Sequence, residues 1–233
     1  MQNIELGLTY DSPCSYLTQQ QQKLAFVLPA TPLTADLYQQ LMDLNFRRSH
    51  HQAYRPHCSS CNACQAVRLN PKLLTLSASQ RKLLKKAQKE AWHYQFVSTP
   101  SAPYFTLYQA YISFKHKQSS MYPASQADLN SMLECNWLAV QFLEQYHNNQ
   151  LVSVTIVDVL ENSLSAVYTF YSPNVSYLSP GKLAIINLAT VARQLNKTWL
   201  YLGYNIESCK KMAYKANFKP QQRFIRGQWH SFS

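Results

Sequence analysis

Cys58, Cys61 and Cys64 recur at three-residue spacing within Phe46–Leu69, a stretch that also holds four arginines and no carboxylate. That spacing restricts the local backbone. Successive side chains of a strand point to opposite faces, so the three sulfurs cannot share one face of an extended segment. A turn can gather them. A turn of this kind makes either a soft-metal site or a group of buried, unligated thiols, and both readings stand. Cys14 is the candidate fourth sulfur, with His57 as an alternative ligand. Four sulfurs suit structural zinc or an iron–sulfur cluster. The three-residue repeat is nearer to cluster ligands than to zinc knuckles, which come as two separated cysteine pairs. Cys135 and Cys209 stand alone and read as packing residues.

Charge is as unevenly placed as sulfur. The formal net charge is +11, and ten Lys or Arg but no Asp or Glu lie between Leu44 and Lys89. From Arg193 onward eight Lys or Arg face one acid, Glu207, whereas residues 91–192 carry three Lys and five acids. Ordinary surface charge mixes both signs, so a long acid-free run predicts a polyanionic partner. The first ten residues lack the charged start and apolar run of a signal peptide, and no apolar run approaches the eighteen or so residues of a membrane span. The expectation is a cytoplasmic protein with no membrane partner.

The periodicities predict a first, Cys-containing unit over 1–75 and a second domain over 76–233. In the first, Thr34 caps a helix over Ala35–Phe46, and Ala66–Asn70 reads as a strand. The second opens on a helix over 77–89, capped by Ser77 or Ser79. Arg81, Lys82, Lys85, Lys86 and Lys89 give it a cationic face with no interleaved Glu. A strand, two helices and three hairpin-linked strands follow, the last of these covering Leu164–Tyr171. The pattern continues with a long helix over Lys182–Leu195, a short strand over Trp199–Leu202, a short helix over Ser208–Ala216 and a strand over Gln222–Arg226. This is an α+β pattern with a central, mostly antiparallel sheet. Its order resembles the GNAT-like acyltransferase fold, in which two adjacent strands splay around the acyl donor. Leu178-Ser179-Pro180-Gly181-Lys182 has one glycine where a pyrophosphate-wrapping turn needs several, which argues against coenzyme A.

Five blocks carry a resemblance to a known family. They are Pro13-Cys14-Ser15-Tyr16-Leu17, Phe46-Arg47-Arg48-Ser49, Tyr54-Arg55-Pro56-His57-Cys58 with Cys61, Ala63 and Cys64, Tyr201-Leu202-Gly203-Tyr204, and Met212-Ala213-Tyr214-Lys215-Ala216 with Phe218 and Pro220. In that order, over about Cys14 to Trp229, they resemble the bacterial branch of the arginyl-tRNA–protein transferase family. The resemblance implies transfer of leucine from leucyl-tRNA to the α-amine of proteins beginning with Asp or Glu, marking them for degradation. Arginine as the donor group is the alternative. The chain departs from the family at Thr18, commonly proline, at His50, commonly glycine, and in the Leu-Ser-Pro-Gly loop before the long helix.

An aminoacyl ester is already activated, and a protein α-amine titrates at about 7.7–8.0. Such an enzyme must mainly hold amine and carbonyl together and steady the oxyanion. Asp158, Tyr168 and Tyr171 lie on strands beside the expected gap, with Tyr201 and Tyr204 across it. Each is a candidate acceptor of the amine's proton, or a core residue. Arg47, Arg48 and Arg55 are the candidates for gripping the substrate carboxylate, or else for phosphate contacts or for tying down the cysteine turn. Arg81, Lys82, Lys85, Lys86, Lys211 and Lys215 are the candidate tRNA contacts, against plain surface charge. A non-enzymatic RNA-binding module and a coenzyme-A-dependent N-acetyltransferase are the competing classes.

Overall fold

The protein is described by a computed structural model covering residues 4–233; residues 1–3, where the stretch read for a signal peptide begins, lie outside it. The chain starts in a four-stranded antiparallel sheet, ordered β1-β4-β6-β5. Its strands are β1 (Leu6–Leu8), β4 (Leu24–Val27), β5 (Arg47–Ser49) and β6 (Gln52–Pro56), with a small ladder of β2 (Ser12–Pro13) and β3 (Gln21–Gln22) beside it. Helix α1 (Ala35–Asp43) is capped by the Thr34 side chain, which accepts from the Leu37 N–H. It stops earlier than the apolar pattern predicts. Asn45 adopts φ 75°, and the Phe46 N–H turns back to the Leu41 carbonyl while that of Asn45 meets Met42. This is a Schellman ending with asparagine in the left-handed position. It turns the chain straight into β5.

Strand β7 (Gln65–Leu69) leaves the first sheet and enters a second, of eight strands, between β12 (Trp199–Asn205) and β13 (Gln221–Ile225). The first 75 residues therefore contribute a strand to the interior of the large sheet. Between β7 and β12 the chain forms α2 (Ala78–Lys89), β8 (Trp92–Val97), α3 (Phe105–Lys115), α4 (Gln126–Leu133), β9 (Ala139–His147), β10 (Gln150–Val159), β11 (Ser163–Tyr171) and α5 (Pro180–Gln194). After β12 come α6 (Lys210–Ala213), a 3-10 turn over Tyr214–Asn217, β13 and β14 (Gln228–Phe232). The order across the sheet is β14-β13-β7-β12-β11-β10-β9-β8, and every pairing is antiparallel except β11 with β12.

Helix α5 packs on β9, β11 and β12 and buries Leu183, Ile185, Leu188 and Val191. A second apolar cluster joins Tyr38, Leu41 and Phe46 of the first unit to Leu160 and Tyr201 of the large sheet. The two sheets thus share a core. No helix among the described residues is long and apolar enough to cross a membrane.

Candidate active site

Strands β11 and β12 pair only at Ser163, Leu164 and Ser165 with Trp199, Leu200 and Tyr201. Beyond that point β11 stays with β10, and β12 goes with β7, so the two strands part. A bulge marks each arm: the β10–β11 register slips at Val167, and the β12–β7 register slips at Leu202, just before Gly203 at φ 78°. Bulges add local twist and bend a strand away from its neighbour. The fork they open holds a pocket of ≈ 100 Å³, whose lining includes Ser165, Val167 and Gly203 of the two strands.

The first sheet roofs this fork with β5. Consecutive strand residues point to opposite sides, and here Arg47 turns toward β12 while Arg48 turns toward β10. The Arg47 guanidinium lies 4.9 Å from the Tyr201 ring centroid and 5.7 Å from that of Tyr204. Its Nη1 donates to the Phe46 and Met42 carbonyls. Its Nε and Nη2, buried, meet no acceptor among the described residues.

Arg48 and Asp158, expected to serve different reactants, are partners of each other. Arg48 Nε and Nη2 lie 2.8 and 2.7 Å from Asp158 Oδ1, and both side chains are fully buried. Burial pushes the Asp158 carboxyl above its ordinary value, and the guanidinium offsets only part of that rise. Desolvation opposes the Arg48 charge, yet the carboxylate outweighs it and holds Arg48 above its ordinary value. The pair is ionic, and its place is the joint between β5 and β10. Arg55 is half-buried, stacks 5.0 Å from the Phe46 ring and donates to the Leu44 carbonyl.

The tyrosines fall into two groups. Tyr201 donates to Asp43 Oδ1 at 2.7 Å and Tyr204 to the Asn45 carbonyl at 2.8 Å, so both hydroxyls are engaged away from the fork. Burial pushes Tyr201 up to about 12 and Tyr204 well above its ordinary value. Tyr168 and Tyr171 stand on the other arm, in an aromatic cluster with Tyr111 (centroids 6.2 and 4.8 Å away), and Tyr168 donates to Met121 Sδ at 3.6 Å. Its hydroxyl, too, is raised by burial.

Arg81, Lys82, Lys85 and Lys86 are exposed along α2, and Lys211 is exposed on α6. Lys86 Nζ sits 4.5 Å from the Tyr177 ring, which places one end of this cationic face beside the turn that leads into α5. Lys215 departs from that set. It is half-buried, lines the fork pocket and donates to the Tyr204 carbonyl at 2.9 Å. In sequence it reads as one of a run of surface lysines. The 3-10 turn that tightens the chain after Ala213 directs it inward.

Cys14, Cys58, Cys61 and Cys64 line one cavity of ≈ 1130 Å³, which shares Tyr16, Tyr54 and Tyr204 with the fork pocket. The Cys64 thiol is pushed up to about 12 by burial and by the neighbouring sulfurs of Cys58, Cys14 and Cys61. By donor type, four thiols lining one cavity suit a thiophilic metal. Among the described residues, no three His, Cys, Asp or Glu side chains stand close enough together to hold an ion.

Residues 12–82 match the N-terminal part, and residues 103–225 the C-terminal part, of the family described as arginine-tRNA-protein transferase. The chain belongs to that family. Its members include an aspartate/glutamate leucyltransferase of Vibrio cholerae serotype O1, 38% identical over 229 residues (98% of this chain, 97% of the relative). Proteins of the same description from Vibrio parahaemolyticus serotype O3:K6 (40% over 230 residues, 98% and 97%) and Aeromonas hydrophila (38% over 226 residues, 97% and 94%) match as fully. Among solved structures, the fold is shared with the C-terminal domain, DUF2156, of an Agrobacterium fabrum protein described as a lysylphosphatidylglycerol synthetase. The TM-score is 0.54 at 10% identity, over 85% of this chain and 64% of that one. A conserved Bacteroides thetaiotaomicron protein of unknown function gives a TM-score of 0.52 at 10% identity, over 69% of this chain and 57% of that one. These two likenesses concern the fold alone. In this transferase family member, the fork, its arginine roof and the cysteine cavity lie side by side.

Proposed function

We propose that this protein transfers leucine from leucyl-tRNA to the N-terminal α-amine of proteins that begin with Asp or Glu, marking them for degradation. It is an aminoacyltransferase with two macromolecular substrates, a charged tRNA and a protein. The observation that carries the reading is the fork between β11 and β12, in a chain whose near-full-length relatives are described as aspartate/glutamate leucyltransferases. The order β8-α3-α4-β9-β10-β11-α5-β12-α6-β13, with its one parallel pair parting beyond Ser165, supports a GNAT-like acyltransferase core. We take the donor ester to enter along that gap.

In the reaction the neutral amine attacks the ester carbonyl. A C–N bond forms, the C–O bond to the terminal ribose breaks, and the amine's proton leaves with the freed hydroxyl or with water. The chain's contribution is position and a dry, polar surround. Of the tyrosines, Tyr168 and Tyr171 stand on the open arm of the fork and are the candidates for contact with the reacting groups. Tyr201 and Tyr204 position Arg47. Asp158 holds Arg48 and through it β5. Of the three candidate arginines, Arg47, Arg48 and Arg55, Arg47 combines burial beside the fork with unpartnered N–H groups, and it is assigned to the acceptor's carboxylate.

The exposed lysines and arginine of α2, with Lys211, supply phosphate contacts for the tRNA. Cys14, Cys58, Cys61 and Cys64 would hold an iron–sulfur cluster or zinc, which would supply a structural crosslink between the β2–β3 region and the cysteine turn. Cytoplasmic localisation belongs to the same reading.

The test uses purified protein and a peptide beginning with Asp, supplied in parallel with leucyl-tRNA and with arginyl-tRNA. Leucine addition at the α-amine is expected. Arginine addition would correct the donor, and tRNA binding without transfer from either would return the protein to the RNA-binding class.

A further inference from the structure

Two cations share the fork pocket, and no carboxylate among the described residues neutralises either one there. Arg47, 5% exposed, offers Nε and Nη2 with no acceptor. Lys215 reaches the pocket from the 3-10 turn, with one hydrogen bond at 2.9 Å to the Tyr204 carbonyl and a long contact of 3.9 Å to Met212 Sδ. The lining includes no Asp or Glu, and its remaining arginine, Arg48, is already paired with Asp158. Gly203 makes room for this arrangement: a Cβ there would stand 3.4 Å from Lys215 Nζ, on a backbone at φ 78°. Buried donors without acceptors are costly, and they are tolerated where a ligand completes them.

We infer that Arg47 and Lys215 together seat the side-chain carboxylate of the acceptor's acidic first residue, with Lys215 as a specificity-determining residue. This rests on the transferase reading above. A carboxylate offers two oxygens. The planar edge formed by Arg47 Nε and Nη2 matches one side of it, and the compact ammonium of Lys215 serves as a point charge for the other. The pocket also selects between anions. At ≈ 100 Å³, walled by buried Leu202, Tyr204 and Ser165, it admits a free chain end such as an Asp or Glu side chain. A phosphate within a nucleic-acid strand would have to bring a ribose on either side. Desolvating a carboxylate is expensive without a fixed counter-charge, and two cations compensate a charged acid while doing nothing for its amide. Asn and Gln would leave the two cations unneutralised.

The experiment compares wild type with K215M, which keeps the stem and removes the charge. It measures kcat/KM for two peptides identical but for a first residue of Asp or Asn, with leucyl-tRNA as donor, and separately the KM for leucyl-tRNA. The Asp-to-Asn ratio is expected to fall roughly ten- to a hundredfold in K215M, the scale of one charge-assisted hydrogen bond, while the KM for leucyl-tRNA stays put. An unchanged ratio overturns the inference. So does a raised KM for leucyl-tRNA with a flatter salt dependence, which would give the pocket to a phosphate. Arg47 also ties the Met42 and Phe46 carbonyls, so its replacement risks the fold, and it is read in the wild-type protein instead. The ¹⁵N signal of Arg47 Nε should shift on adding the Asp peptide and not the Asn peptide; no shift at saturation removes Arg47 from the seat. Wild-type protein that leucylates neither peptide would defeat the transferase reading itself. Peptide binding alone, acidic against amide, then still decides whether the pocket takes a carboxylate.

Discussion

Arg48 and Asp158, 110 residues apart, have become one unit. A buried ion pair contributes little net stability over a well-packed apolar pair, but removing one partner strands the other charge, at roughly 3–5 kcal/mol. R48M and D158N should each lower the unfolding midpoint in denaturant by an amount on that scale, and the R48M/D158L double variant should lose less than the sum of the singles. Single variants with wild-type midpoints would contradict the ionic assignment. Lys215 yields a pH prediction. Burial and the nearby Arg47 charge push its ammonium down to about 8, against the pull of Cys209 and Cys64. The groups facing it are therefore Arg47 from β5, Cys64 from the cysteine turn, Cys209 ahead of α6 and the Tyr204 carbonyl from β12. As pH rises through about 8 the seat loses one of its charges, so the ratio of kcat/KM for Asp over Asn peptides should fall. The α-amine common to both peptides cancels. Stability moves the other way. The unfolded chain keeps this proton up to the ordinary value of 10.5, so between about 8 and 10.5 it binds a proton that the folded protein has shed, and this group's contribution rises with pH.

Helix α2 shows how much an element reveals in sequence. Ser77 accepts from the Gln80 N–H and the Gln80 side chain accepts from the Ser77 N–H, a full capping box. Its five cations face solvent, as their spacing predicts, because the helix needs only Leu83, Leu84 and Ala87 to dock. Replacing Arg81, Lys82, Lys85 and Lys86 by Ala should weaken tRNA binding and flatten its salt dependence, by up to about 0.9 in log–log slope for each duplex phosphate no longer neutralised. S77A should instead cost about 1 kcal/mol of stability and leave the slope alone. An unchanged slope in the fourfold variant would remove α2 from the tRNA surface. The β5–β6 hairpin was illegible for the opposite reason. Arg47 and Arg48 read as cations for a substrate carboxylate, for phosphates or for the cysteine turn, and nothing local announces that Arg48 will meet a carboxylate 110 residues away. Its turn carries a second irregularity. His50 adopts φ 56°, where the family commonly places a glycine, so that departure falls on a left-handed position.

At the scale of the molecule, the alternation from β8 to β13 was legible because each segment carries its own period and its own turn. The topology was not. That β7 crosses into the large sheet, beside a strand more than a hundred residues further along, and that β11 and β12 pair for three residues and then part, depends on how distant segments meet. The fork pocket follows from that parting of β11 and β12, and the 3-10 turn over Tyr214–Asn217 brings Lys215 to it. The cysteines lie between these cases: their spacing predicts a turn, and the turn brings them to one cavity. Protein made and purified without oxygen should carry iron with sulfide, or zinc, and C58S or C64S should lower both metal content and stability. Metal-free protein of wild-type stability would leave the thiols unligated. The central claim is that this fold moves leucine onto acidic N-termini, and one competition tests it most directly. Wild-type protein, leucyl-tRNA and an equimolar mixture of peptides beginning with Asp and Asn are incubated together, and the products are read by mass spectrometry. The account predicts leucine on the α-amine of the Asp peptide, with the Asn peptide left nearly untouched. Equal modification of both, or none of either, would contradict it.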